Sequence, residues 1–149
     1  MATEIERKFL VTGSVYRDMA VEKKVIAQAY LSRQTDATVR VRRSDDRGFI
    51  TVKGRNRGAT RGEWEYEIPL QDAVEMAALA GGWSIEKTRY IVPYRGHTWE
   101  VDEFHGRHEG LVVAEVELSV EDEAIELPPF AGTEVTGDPA YYNSVLAAR

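Results

Sequence analysis

Like charges separated by one residue recur along the chain: Glu4/Glu6, Arg40/Arg42, Glu63/Glu65, Lys87/Arg89, Glu100/Asp102 and Glu115/Glu117. Lys8 follows two places after the first pair, and Lys53 stands alone in "ITVKG". In a β-strand, residues i and i+2 share a face and lie roughly 6–7 Å apart. Like charges at that distance repel, and a plain solvated surface more naturally mixes signs. Clustered carboxylates suit hard divalent cations such as Mg²⁺ or Mn²⁺, and clustered arginines and lysines suit phosphate oxygens. The pattern therefore offers a site for a metal-bridged phosphate compound. The plain alternative, a sandwich or barrel whose charged face is merely wet, stays open on spacing alone.

The residues between the charges are mostly large and apolar: Val41, Trp64, Val101 and Val116. They point to the opposite face, which must be covered. Short alternating segments at 4–11, 26–32, 38–43, 48–54, 63–68, 86–92, 97–104 and 111–119 read as antiparallel strands joined by turns such as Asp46-Arg47-Gly48. Helical patterns fall at "DAVEMAALA" (72–80), ending before Gly81-Gly82, and at "DPAYYNSVLA", where Asp138 is an N-cap and Pro139 the first helical residue. Residues 14–24 read as a third. The expected fold class is α+β: eight antiparallel strands, with helices packed outside on faces such as Trp64, Tyr66 and Ile68 or Ala114, Val116 and Leu118.

If that sheet closes, its charged face becomes the lumen, which in an eight-stranded barrel has room for side chains and one small ligand. Acids and bases there cannot sit unpaired and desolvated. A divalent cation on the carboxylates and a polyanion on the bases would relieve the cost. "GRNRGATRG" (54–62) is polar, basic and glycine-rich, and reads as a loop, because it lacks the lysine and hydroxyl pair of a P-loop. His105 and His108, flanked by glycines, read as part of a hairpin turn rather than a metal site. Tyr30 lies on a candidate strand, where both a lumen-lining and a packing role are open, and it is left out of the site set.

A chain of 149 residues is the length of one domain, 1–149, with no evident internal boundary. The absence of cysteine excludes disulfides and thiolate metal sites. A formal net charge of −6 argues against nucleic acid as a general ligand. No apolar run approaches the roughly 20 residues of a membrane span, and no signal-peptide pattern opens the chain, so a cytoplasmic protein without a membrane partner is expected.

The N-terminal Glu4-Ile5-Glu6-Arg7-Lys8 resembles the E-x-E-x-K signature of the CYTH domain, or triphosphate tunnel metalloenzyme, family. The resemblance continues in order through "YLS" (30–32), "VRVR" (39–42), "TVKG" (51–54), "EWEYEI" (63–68), "EKTRY" (86–90), "EVDEF" (100–104), "GLVVAEVEL" (110–118), "GTEVTGD" (132–138) and "YYNSVLA" (141–147). It implies an eight-stranded tunnel that binds a triphosphate with Mg²⁺ or Mn²⁺. By motif, Glu4, Glu6, Glu115 and Glu117, helped by Asp102, would hold the metal. Lys8, Arg40, Arg42, Lys53, Lys87 and Arg89 would hold the phosphates. Glu63 and Glu65 would orient or deprotonate a water, or hold a second metal, with Lys8 also serving the chemistry. The implied activity is hydrolysis of a small-molecule triphosphate, inorganic tripolyphosphate first, by a monomer or homodimer. An adenylyl cyclase, an organic triphosphatase and a non-catalytic polyphosphate binder remain as alternatives.

Overall fold

The computed structural model describes residues 2–149. Eight antiparallel strands close into a barrel: β1 (Thr3–Val11), β2 (Glu22–Gln34), β3 (Ala37–Ser44), β4 (Arg47–Lys53), β5 (Thr60–Ile68), β6 (Ser84–Tyr94), β7 (His97–Phe104) and β8 (Val112–Glu117). Their order is β5-β4-β3-β2-β6-β7-β8-β1, and β1 returns to β5 through the pairs Thr3↔Gly62, Glu4↔Arg61 and Ile5↔Thr60. That seam is short. A ninth strand, β9 (Ala131–Glu134), which alternation in the sequence did not suggest, adds to β1 beyond the barrel.

Alternation puts the charges inside and the apolar residues outside. Phe9, Trp99, Val101, Ala114 and Val116 are buried on the outer face with Tyr16 and Phe130. Tyr16 comes from α1 (Tyr16–Met19) and Phe130 from the segment that follows β8. Each such side chain contributes about 1.5–3 kcal/mol on burial. A second cluster lies under α2 (Leu70–Ala77), where Ala29, Val41 and Ala80 meet Ile50, Ile68 and Met76. Gly48 permits that contact, since a Cβ there would stand 2.9 Å from the Ala73 Cβ. As expected, α2 runs into a 3₁₀ turn and ends at Gly81, whose φ of 63° only glycine adopts freely.

Four expectations change. The helix read at 14–24 shrinks to Tyr16–Met19, because Glu22 already pairs with Ile91 and the β-branched Val25 and Ile26 extend β2. The 54–62 loop is shorter than expected, since β5 begins at Thr60 and Arg57 and Thr60 exchange backbone hydrogen bonds of 2.7 and 3.0 Å. The turn read at Asp46-Arg47-Gly48 falls one residue earlier, with Asp45 at φ 53° and Gly48 inside β4. Helix α2 covers Ile68 but leaves Trp64 43% and Tyr66 64% exposed, because it crosses β3 and β4 rather than the β5 flank. "DPAYYNSVLA" forms a 3₁₀ turn (Pro139–Tyr141) and α3 (Asn143–Leu146), and Asp138 caps the turn by accepting from the Ala140 N–H at 3.0 Å. Among the described residues no helix is long and apolar enough to cross a membrane.

Candidate active site

The barrel encloses a cavity of about 240 Å³. Register explains its lining. Lys8 faces Glu115 across the β1–β8 ladder, and Glu6 faces Glu117. Arg40 faces Tyr30 on one side and Thr51 on the other, and Lys53 faces Glu63. Arg89 faces Asp102. The residues Glu4, Glu6, Lys8, Arg40, Arg42 and Lys53 singled out in the first half of the sequence all line this cavity, as do Glu63, Glu65, Lys87, Arg89, Glu115 and Glu117. Asp102 does not. It shares the inward face of β7 with Glu100 but is covered, 1% exposed, accepting from Arg89 Nε and Nη2 at 2.8 and 2.9 Å and pairing with Lys87 Nζ at 2.8 Å. Its position suits it to aim two bases.

The far end of the lumen is apolar. Leu10, Tyr30, Ile85, Phe104 and Val113 pack there with Leu146 and Ala147 of the C-terminal segment. That segment also reaches the charged zone: Lys8 Nζ donates to the Tyr141 carbonyl at 3.1 Å, and Lys87 Nζ donates to Asn143 Oδ1 at 3.0 Å. Tyr30 belongs to both regions, lining the cavity as well as packing, and it accepts from Gln28 Nε2 at 3.1 Å.

Most charges are mutually committed. Lys53 Nζ lies 3.1 Å from Glu4 and 3.2 Å from Glu63, Arg42 bonds Glu65 at 3.2 Å, and Glu65 also accepts from Thr51 Oγ1 at 2.7 Å. Burial pushes Glu6 well above the usual carboxylate range, and neighbouring Glu115 adds to the rise. Burial also pushes at Glu115, but the hydrogen bond from Glu6 and the charges of Lys8, Arg89 and Lys87 carry it well below that range. Glu6 and Glu115 therefore titrate as a coupled pair, shifted in opposite directions. Glu63 and Glu117 are raised, each chiefly by burial. Burial pushes Glu4 up, but the charge and hydrogen bond of Lys53 together with the hydrogen bond to Glu63 bring it below its usual value. Burial brings Lys87 down to about 8 although Asp102 opposes it.

Among the described residues no three histidine, aspartate or glutamate side chains are arranged to hold a metal ion. The donor chemistry nevertheless fits a hard divalent cation: oxygen ligands only, and acids crowded closely enough to raise Glu6, Glu63 and Glu117. These carboxylates turn toward one another and toward Lys53 rather than toward a common point.

The CYTH domain family model matches residues 2–142. This chain belongs to the CYTH domain family. An inorganic triphosphatase of Acetivibrio thermocellus is 47% identical over 147 residues, spanning 98% of this chain and 94% of the relative. An inorganic triphosphatase of Nitrosomonas europaea is 36% identical over 149 residues, with 97% of each chain covered. The crystal structure of an inorganic triphosphatase superposes with a TM-score of 0.70 at 34% identity, over 98% of both chains.

In this CYTH domain several cavity-lining residues escaped the sequence reading. Glu100, within 3.3 Å of Arg89, was visible as half of a charged pair. Arg61 shares the inward face of β5 with Glu63 and Glu65, so carrying the alternation two residues back would have found it. Asn56, Tyr142, Asn143 and Ser144 come from the loop and the C-terminal segment, and no local pattern marks them.

Proposed function

We propose that the chain is a divalent-metal-dependent inorganic triphosphatase that hydrolyses tripolyphosphate to pyrophosphate and orthophosphate. The observation that carries this reading is the enclosed lumen on which seven bases and an oxygen-only acidic set converge. A linear polyanion with its metal satisfies both groups at once, and the kinship with inorganic triphosphatases points the same way. Arg40, Arg42 and Lys53 from β3 and β4 hold phosphate oxygens from one side, with Lys87, Arg89 and Lys8 from β6 and β1 on the other. Asp102 keeps Lys87 and Arg89 aimed.

Glu4, Glu6, Glu115 and Glu117, with Asp102 supporting them, would hold Mg²⁺ or Mn²⁺, which would supply neutralisation of phosphate charge. The hydrolytic step needs little covalent help from the protein. A water oxygen bonds to a terminal phosphorus as the bridging P–O bond breaks, and its electron pair leaves with pyrophosphate. Glu63 or Glu65 takes the water proton. Burial raises the affinity of Glu63 for protons, which suits it to accept one. Lys8 and its fellow bases stabilise the charge that builds on the departing oxygens.

The test is phosphate release from tripolyphosphate under Mg²⁺ and Mn²⁺, with a chelator control and ATP alongside. Chelator-sensitive release favouring tripolyphosphate is expected. Intact tripolyphosphate with cyclic AMP and pyrophosphate formed from ATP would instead identify a cyclase, and inertness toward both would remove the reading.

A further inference from the structure

Two cations in the cavity flank one aromatic ring without an acid between them. The Arg61 guanidinium lies 5.9 Å from the centre of the Tyr142 ring, and Lys8 Nζ lies 5.7 Å from the same centre. Lys8 Nζ donates to the Tyr141 carbonyl, not to a carboxylate. Arg61 Nε is buried with no hydrogen-bond partner among the described residues. Lys53, Arg42, Lys87 and Arg89 each already pair with a carboxylate, while Arg40, whose Nε is likewise without a partner among the described residues, stands opposite Tyr30 rather than beside Tyr142 and Lys8.

The ring between them is fixed. Tyr142 OH accepts from Asn56 Nδ2 at 3.1 Å and donates to the Gly137 carbonyl at 3.3 Å, tying the C-terminal segment to the loop before β5. Strand pairing fixes Arg61 as well, because it stands opposite Glu4 where β5 closes the barrel on β1. A buried N–H donor of a guanidinium left without an acceptor costs free energy unless something accepts from it. Beside a second cation that makes no hydrogen bond to a carboxylate, the acceptor that fits is a doubly charged phosphate oxygen group.

We propose that Arg61, with Lys8, forms the subsite for an unesterified terminal phosphate of the ligand, against the wall made by Tyr142 and Asn56. This deepens the triphosphatase reading and rests on it for the identity of the ligand. The end phosphate of inorganic triphosphate and the γ-phosphate of a nucleoside triphosphate both carry the charge this subsite takes, so Arg61 recognises the free end of the phosphate chain.

The experiment is tripolyphosphate binding by titration calorimetry, with kcat and KM, for the intact protein and for Arg61→Gln, Arg61→Lys and Arg17→Gln. Arg17 lies on α1, on the outside of the barrel, paired with Glu103, and controls for the loss of one positive charge. Arg61→Gln should weaken binding and raise KM about 10- to 100-fold, the loss that accompanies one charge-assisted hydrogen bond. Arg61→Lys should recover most of it, with Arg17→Gln unchanged. Unaltered affinity in Arg61→Gln, or an equal loss in Arg17→Gln, would overturn the assignment. Wild-type binding without hydrolysis, with the Arg61→Gln loss intact, would sink the hydrolase reading and leave the subsite standing. No wild-type binding at all would end both.

Discussion

Lys87 is 1% exposed and held by Asp102 at 2.8 Å and Asn143 at 3.0 Å, with the Phe104 ring 5.6 Å away. Burial lowers its proton affinity from 10.5 to about 8, more than the Asp102 charge restores. At roughly 1.4 kcal/mol for each tenfold change, the charged amine costs the folded protein about 3 kcal/mol relative to the unfolded chain. The sign follows from proton counting. Between about pH 8 and 10.5 the unfolded chain binds the proton and the folded chain does not, so stability rises with pH across that window. The penalty is fully present below pH 8 and fully relieved above 10.5. Lys87→Met removes the titration, so urea unfolding of both proteins from about pH 7 to 10.5 isolates it from every other group. The wild-type free energy should gain about 3 kcal/mol on the variant over that range. A difference flat to within about 0.5 kcal/mol would show that Lys87 titrates normally and that its burial is not what sets its charge. Tripolyphosphate should restore the proton, so binding near pH 9 should take up protons, seen as heats that differ between buffers of unlike ionisation enthalpy.

Asp102→Asn should cost about 3–5 kcal/mol in chemical unfolding, because it strands two buried cations. A loss below about 1 kcal/mol would mean that Arg89 and Lys87 find other acceptors. Glu117→Gln, at an exposed position on the cavity rim, should leave stability within about 0.5 kcal/mol while abolishing turnover and weakening Mn²⁺ binding, the latter read by calorimetry without substrate. Full activity in that variant would remove Glu117 from the metal set.

The inward row of charges was legible because a strand's period of two is rigid. Glu4, Glu6 and Lys8 must share a face wherever β1 goes, and the same holds for Arg40 with Arg42 and Glu115 with Glu117. Alternation alone left a sandwich or a barrel open, and the closed tunnel was implied by the resemblance to the CYTH family. Pairing partners were beyond local reading. Glu4 meets Arg61 because the first and fifth strands close the cylinder, and Asp102 turns from the cavity toward Arg89 because the β6–β7 register sets them opposite each other. The exposure of Trp64 and Tyr66 depends on where α2 crosses the sheet, which the alternation of β5 does not encode. Tyr142 and Asn143 enter the site only because Leu146 and Ala147 bury themselves in the apolar end of the lumen and draw the C-terminal segment across it. Local alternation thus determined which side chains face inward; burial and closure between residues distant in sequence decided which of them are spent on one another and which remain for a ligand.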